Sequence, residues 1–190
     1  MDVIAAAKAY NQKAVRENWH QFCDPTLAFS DPSHIQLLSV WQAKAGNRPM
    51  PLRSELTPRD LKDVLRHIVL IQREGENPSR YFWRLIGTSV TDIIGHHTGK
   101  RLEDHVPPEH LSRWTDSYDL ILDSSKPWRF FGHVRIRSRD YLDAEHLYVP
   151  LASDNGVPSY VMGLCHYTPR RSQDDRVWEN ELASIPGGLL

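Results

Sequence analysis

Apolar positions along the chain change period several times, and each change marks an element. After Asp2, a residue suited to capping a helix, Val3, Ala6, Ala7, Tyr10 and Ala14 recur at helical spacing, and the stripe continues toward Trp19 and Phe22. Asp24-Pro25 and Asp31-Pro32 interrupt it. Asp31, with Pro32 at the first helical position, predicts a second helix that contains Leu37, Leu38, Trp41 and Ala45 and ends at Gly46. Beyond a proline-punctuated stretch, Thr57-Pro58-Arg59-Asp60 reads as the capped start of a short helix running to about Leu65.

From Ile68 the pattern becomes strand-like. Ile68 to Ile71, a GENPS turn and Tyr81 to Ile86 predict a hairpin, and the segment after Gly87 reads as short helical turns broken by Gly95 and Gly99. Pro107-Pro108 opens an amphipathic helix with Leu111, Trp114, Tyr118, Ile121 and Leu122 on one face. Three strands follow, Trp128 to Arg137, Glu145 to Ala152 and Val157 to Tyr167, the last two joined by an Asn155-Gly156 turn. In the first of them Trp128, Phe130, Val134 and Ile136 share a face. Arg129, Phe131, His133, Arg135 and Arg137 share the other, which predicts one core face and one wet face. A short helical pattern from Asp174 to Leu182 precedes an IPGGLL end expected to fray.

This order predicts an α+β fold, with helices on one face of a five-stranded antiparallel sheet. Residues 1–30 are expected to form an N-terminal helical extension, residues 31–168 the domain itself, and residues 169–190 a tail with a short helix. A chain of 190 residues, 40% hydrophobic and 25% charged, has the size and composition of one folded domain. Its formal charge of −1 provides no broad basic field, so nucleic acid is not an expected partner. Only Cys23 and Cys165 are present, without a CxxC pair; this argues against a disulfide framework or a cysteine zinc site and fits a reducing cytoplasm. The longest aliphatic run is Ile68 to Ile71, so neither a secretory signal nor a membrane span is expected.

Chemistry-bearing residues do not fall at a recognised catalytic spacing. GxSxG, GxGxxG and the P-loop pattern are absent, and no catalytic set is assigned. His96-His97 are adjacent and so diverge on any regular element. Glu103, Asp104, His105, Glu109 and His110 lack the HExxH spacing of a metal site and read as charges at a helix start, so no metal ligands are assigned. Arg129, Arg135 and Arg137, with Arg139, form a basic row at strand spacing that suits an acidic partner or simply solvent.

Several segments carry a family resemblance: WQAKAGNRPMPLRSELTPRDLKDVLRHIVLIQ, YFWRLIGTSVTDIIGHHTGKRLEDHVP, the Ser125-Lys126-Pro127 entry to the third strand, and EHLYVPLASDNG. Together they resemble the PAS-domain family, in particular a bacterial group of small stand-alone PAS proteins, over about residues 36–167. The most specific piece is Arg84-Leu85-Ile86-Gly87-Thr88 with Gly95 and the Thr98-Gly99-Lys100 turn. The resemblance implies a sensory or adaptor module rather than an enzyme. It implies a small-molecule cavity between sheet and helices, a homodimer or partner contact through the sheet or the N-terminal helix, and output through another signalling protein. By analogy with PAS cavities, the ligand-facing candidates are Trp83, Arg84, His97, Trp114, Tyr118, Phe130 and Tyr148. The cofactor is unknown: there is no flavin-adduct cysteine motif, and His110 lies only at the first turn of its helix. The alternatives are a small enzyme on a cone-like α+β fold, using His97 with Asp104 for proton transfer, and a purely structural dimerisation module with a filled core.

Overall fold

The computed structural model describes residues 1–76, 78–136, 139–170 and 177–184. Helix α1 (Val3–Arg16) opens on the Asp2 carboxylate, which accepts the Ile4 and Ala5 N–H groups. It stops short of Trp19, because Asn18 and His20 take φ of 54° and 53° and turn the chain into a four-residue strand, β1 (Gln21–Asp24). Helix α2 (Pro32–Ala45) has the predicted Asp31 cap and Gly46 stop. The helix expected after Thr57 does not form. The Asp60 carboxylate takes both the N–H and the hydroxyl of Thr57, a local closure that competes with helix, and turns lead to a 3₁₀ turn at Leu65–His67.

The remaining elements are β2 (Ile68–Glu76), β3 (Ser79–Ile86), α3 (Thr88–Ile94), α4 (Pro108–Ser124), β4 (Trp128–His133), β5 (Leu142–Ala152), β6 (Pro158–Pro169) and α5 (Val177–Ser184). The sheet runs β1-β4-β5-β6-β2-β3, antiparallel throughout. Its last five strands in that order are the expected five-stranded sheet. The extension adds the sixth, with Cys23 paired to Phe130 and Gln21 to Gly132. A glycine is needed at 132, where a Cβ would stand 2.1 Å from the His20 carbonyl oxygen.

Strand alternation builds two cores. On the inner face Val69, Ile71, Trp83, Phe130 and Tyr148 meet Tyr118, Ile121 and Leu122 of α4 and Ala7, Tyr10 and Ala14 of α1. The apolar stripe of α1, a candidate dimer surface in the sequence, is thus covered by the chain's own domain. On the outer face Leu70, Leu147, Val149 and Leu164 meet Leu37 and Trp41 of α2, so a helix covers this face too. The Trp41 indole N–H anchors α2 to the Pro150 carbonyl at 2.8 Å.

The wet face expected for β4 is not wet: all six of its residues are buried. Phe131 packs on Trp178 of α5, with ring centroids 5.2 Å apart. Arg129 pairs with Asp24 at 3.3 Å, Glu145 at 2.7 Å and Glu181 at 3.1 Å. The basic row is therefore broken up: Arg129 is buried, Arg135 stays exposed beside His20, and Arg139 donates to the Asp92 carbonyl. Arg137, the Asp174 start proposed for the last helix and the IPGGLL end lie outside the described residues.

Candidate functional site

A small cavity of about 30 Å³ lies between α4 and the inner face of the sheet, enough room for a water molecule. Its walls include Trp83 from β3, Trp114 and Tyr118 from α4, His146 and Tyr148 from β5, and Cys165 from β6. His146 pairs with Cys165 across the sheet and Tyr148 with Gly163. A Cβ on residue 163 would lie 2.3 Å from the Tyr148 ring, so the glycine is what lets this tyrosine lie flat across β6. Tyr148 then meets Tyr118 edge-on at 6.0 Å. The extension closes one end, where the Gln21 side-chain amide donates to the Tyr10 hydroxyl at 2.8 Å and to Ser117 Oγ at 2.9 Å.

Burial sets the chemistry of this chamber. It pulls His146 down to about 3, leaving a neutral imidazole, and pushes Tyr118 and Tyr148 well above the usual phenol value. Cys165 is driven up to about 12 by burial, so it sits there as a thiol and not as a nucleophilic thiolate. Two polar atoms lack a well-formed hydrogen bond: Nδ1 of His146, and the Tyr118 hydroxyl, to which Trp83 offers only a marginal donor.

A second pocket, of about 150 Å³ and more open, lies beyond Trp83, Ile94 and Trp114, which line both spaces. His97, His105, His110, Arg113 and Arg135 give it a basic rim. His97 stacks on Trp83 with centroids 5.1 Å apart and donates from Nε2 to the Ile94 carbonyl at 2.8 Å. Nδ1 is then a bare acceptor, buried and unpartnered. Burial holds His97 below the usual imidazole value, so the neutral ring is favoured. The Arg113 guanidinium lies over the Trp114 ring at 5.6 Å and donates to the Trp19 carbonyl, while its Nε has no partner.

Trp83, Trp114, Tyr118 and Tyr148 therefore share one cavity lining, and His97 joins them from the outer pocket through Trp83. Phe130 is not on either wall. It is fully buried behind Tyr148, at 5.6 Å and 74°. Arg84 is excluded by strand alternation: its guanidinium lies over Phe82 and bonds Gln72, on the opposite face from Trp83. Asp104 does not meet His97; it lines a separate surface depression with Arg80 and Arg101. Gln21, Ser117, His146, Cys165 and Tyr167 also line the inner cavity and were not singled out from the sequence. The spacing of His146 with Tyr148, and of Cys165 with Tyr167, could have found three of these five positions by simple alternation.

Among the described residues no helix is long and apolar enough to cross a membrane. No curated protein matches the sequence. Among solved structures, a sensory box histidine kinase/response regulator from Burkholderia thailandensis E264 aligns at 16% identity and a TM-score of 0.37, covering 66% of this chain and 95% of that one. An RNA-binding light-oxygen-voltage receptor aligns at 10% identity and a TM-score of 0.43, covering 88% of this chain and 43% of that one. Residues 29–166, most of the chain, match the family model described as PAS domain. The sheet order, the cavity under α4 and this match together assign the chain to the PAS domain family.

Proposed function

We propose that this sensory module binds a small single-ring aromatic or heterocyclic acid in the outer pocket, works in the cytoplasm, and passes its state to a protein partner. The observation that carries the reading is Arg113: a half-buried cation, stacked on Trp114, whose Nε is itself buried and has no acceptor in the protein. Buried polar groups are nearly always paired, so an orphaned donor at a pocket wall suits an incoming carboxylate. Trp83, Trp114 and His97 supply ring faces, and a space of about 150 Å³ matches cavities that take up one benzene-sized ring. His97 Nδ1 would accept a hydrogen bond from a ring N–H or hydroxyl of the same ligand.

Trp83 stands on β3 and Trp114 on α4, so a ligand that prefers one arrangement of this wall biases how α4 sits on the sheet. The size of the response is limited by that difference in affinity. The test is a titration of the protein with benzoate, hydroxybenzoates and nicotinate, with benzamide as the uncharged control, followed by thermal melting and tryptophan fluorescence. Saturable stabilisation by the acids, weakened at least tenfold in Arg113→Met, is expected. No saturable response to any acid, or an equal response in Arg113→Met, would remove the proposal.

A further inference from the structure

On the opposite face of the sheet from the cavity, two neighbouring residues at the start of α2 meet a third from far along the chain. Asp31 caps α2, His34 sits one turn later, and His166 comes from β6; one ligand-type atom from each lies within 4.8 Å of the others. The Asp31 carboxylate already meets His166 Nδ1 at 2.9 Å. We propose that Asp31, His34 and His166 form a binding site for a divalent first-row transition ion, zinc being the best fit.

His34 is the independent observation. It is fully buried, stacked on Phe29 at 4.8 Å, and neither ring nitrogen makes a well-formed hydrogen bond. Its nearest carboxylate, Glu145, stands at 3.9 Å, and the Leu164 backbone gives it only a marginal contact. An ordinary core histidine is held by at least one hydrogen bond. Here both nitrogens are unpartnered beside a second imidazole and a carboxylate. His166 lies 4.7 Å away ring to ring, and His67 flanks His166 at 4.8 Å with its own Nδ1 unpartnered.

The donor set suits the ion. Two imidazoles and one carboxylate match the three-ligand zinc arrangement, which a water completes, and do not suit the oxygen-only preference of magnesium or calcium. Ser33 donates from both its backbone N–H and its hydroxyl to the Asp31 Oδ1, which leaves the other carboxylate oxygen facing His166. Tetrahedral zinc at about 2.0–2.1 Å from each ligand sets ligand atoms about 3.3 Å apart, so the widest separation has to close by about 1.5 Å. Asp31 and His166 are partly exposed and have the freedom to do so, with an approach from solvent on their side. No motif spacing announces this site, because His166 lies more than a hundred positions beyond Asp31 and His34.

The site is independent of the aromatic-acid reading, and its test is separate. Untagged protein stripped with chelator is titrated with Zn²⁺ against a chromophoric competitor, and with Co²⁺ for its visible ligand-field bands. One equivalent per chain is expected, with micromolar or tighter affinity, tetrahedral-type Co²⁺ bands and a melting temperature that rises with free Zn²⁺. Asp31→Asn keeps the helix cap, and His166→Gln alters a partly exposed ring, so both variants should fold. Each should lose at least tenfold in Zn²⁺ affinity, and the pair together the stoichiometric site. His96→Gln, on the exposed turn, should change nothing. Absence of a one-equivalent site in the stripped protein, or its persistence in the folded double variant, would overturn the proposal.

Discussion

The side-chain amide of Asn11 holds both backbone polar groups of Cys23, donating to its carbonyl at 3.0 Å and accepting its N–H at 2.8 Å. Helix α1 is thereby fixed to strand β1 as one backbone is fixed to another, with no solvent in reach of either group. Asn11→Ala removes two hydrogen bonds and strands a buried donor and acceptor, so urea denaturation should show a loss of about 2–4 kcal/mol. Hydrogen exchange should localise the loss to β1 amides. An unchanged midpoint would mean that the clamp contributes nothing.

Gly163 and Tyr148 predict a different kind of damage. Gly163→Ala drives a methyl into the Tyr148 ring and toward Val69, where the contact would be 2.8 Å. Overpacking of this sort costs about 1–3 kcal/mol. The second substitution Tyr148→Val removes the ring, so the double variant should be more stable than the two separate losses predict when summed, as a double-mutant cycle would show.

Arg129 is the cation of a nearly buried cluster. Its loss in Arg129→Met leaves Asp24, fully buried, without a countercharge and should cost about 3–5 kcal/mol. Arg129→Lys keeps the charge but not the fork that reaches Asp24, Glu145 and Glu181 together, and should recover only part of the loss. Chemical denaturation of the two variants decides this.

Acid should weaken the fold through His146. In the unfolded chain a histidine titrates near 6.5, whereas burial holds His146 at about 3 among the rings of Tyr148 and Tyr167. Between these values the unfolded chain binds a proton that the folded chain refuses. Stability is therefore full above about pH 6.5 and falls as pH drops toward 3, by up to about 1.4 kcal/mol per pH unit from this residue. In His146→Leu the slope between neutral pH and pH near 5 should flatten by that amount; an identical slope would assign the acid sensitivity elsewhere.

Most of the five-stranded sheet and the α4 helix could be read from periodicity, because Leu111, Trp114, Tyr118 and Ile121 repeat at helical spacing and the strands alternate over many residues. Strand β1 could not: four residues carry too little period, and Trp19 and Phe22 happen to fall where a longer α1 would want them. The burial of Arg129 was equally hidden. A strand face reading Arg, Phe, His looks wet until three carboxylates and Trp178 arrive from elsewhere in the chain. The cavity lining was legible where aromatic residues announce themselves, as at Trp83 and Tyr148, and was passed over at His146 and Cys165, which strand alternation places on the face of Tyr148 and Tyr167; it was hidden at Gln21 and Ser117, which arrive from other elements.

Both margins of the sheet are occupied by the chain itself. Strand β1 covers β4, and on the far side the Trp83 N–H and carbonyl are engaged by Lys100 and Gly99, while Leu102 donates to the Tyr81 carbonyl. Strand donation by a visiting peptide needs a free ladder of N–H and carbonyl groups, and here that ladder is interrupted at one border and only four residues long at the other. A protein partner of the kind proposed would thus be directed to the module's side chains, on helices and loops, and recognition would have to be written in surface chemistry instead of in backbone pairing.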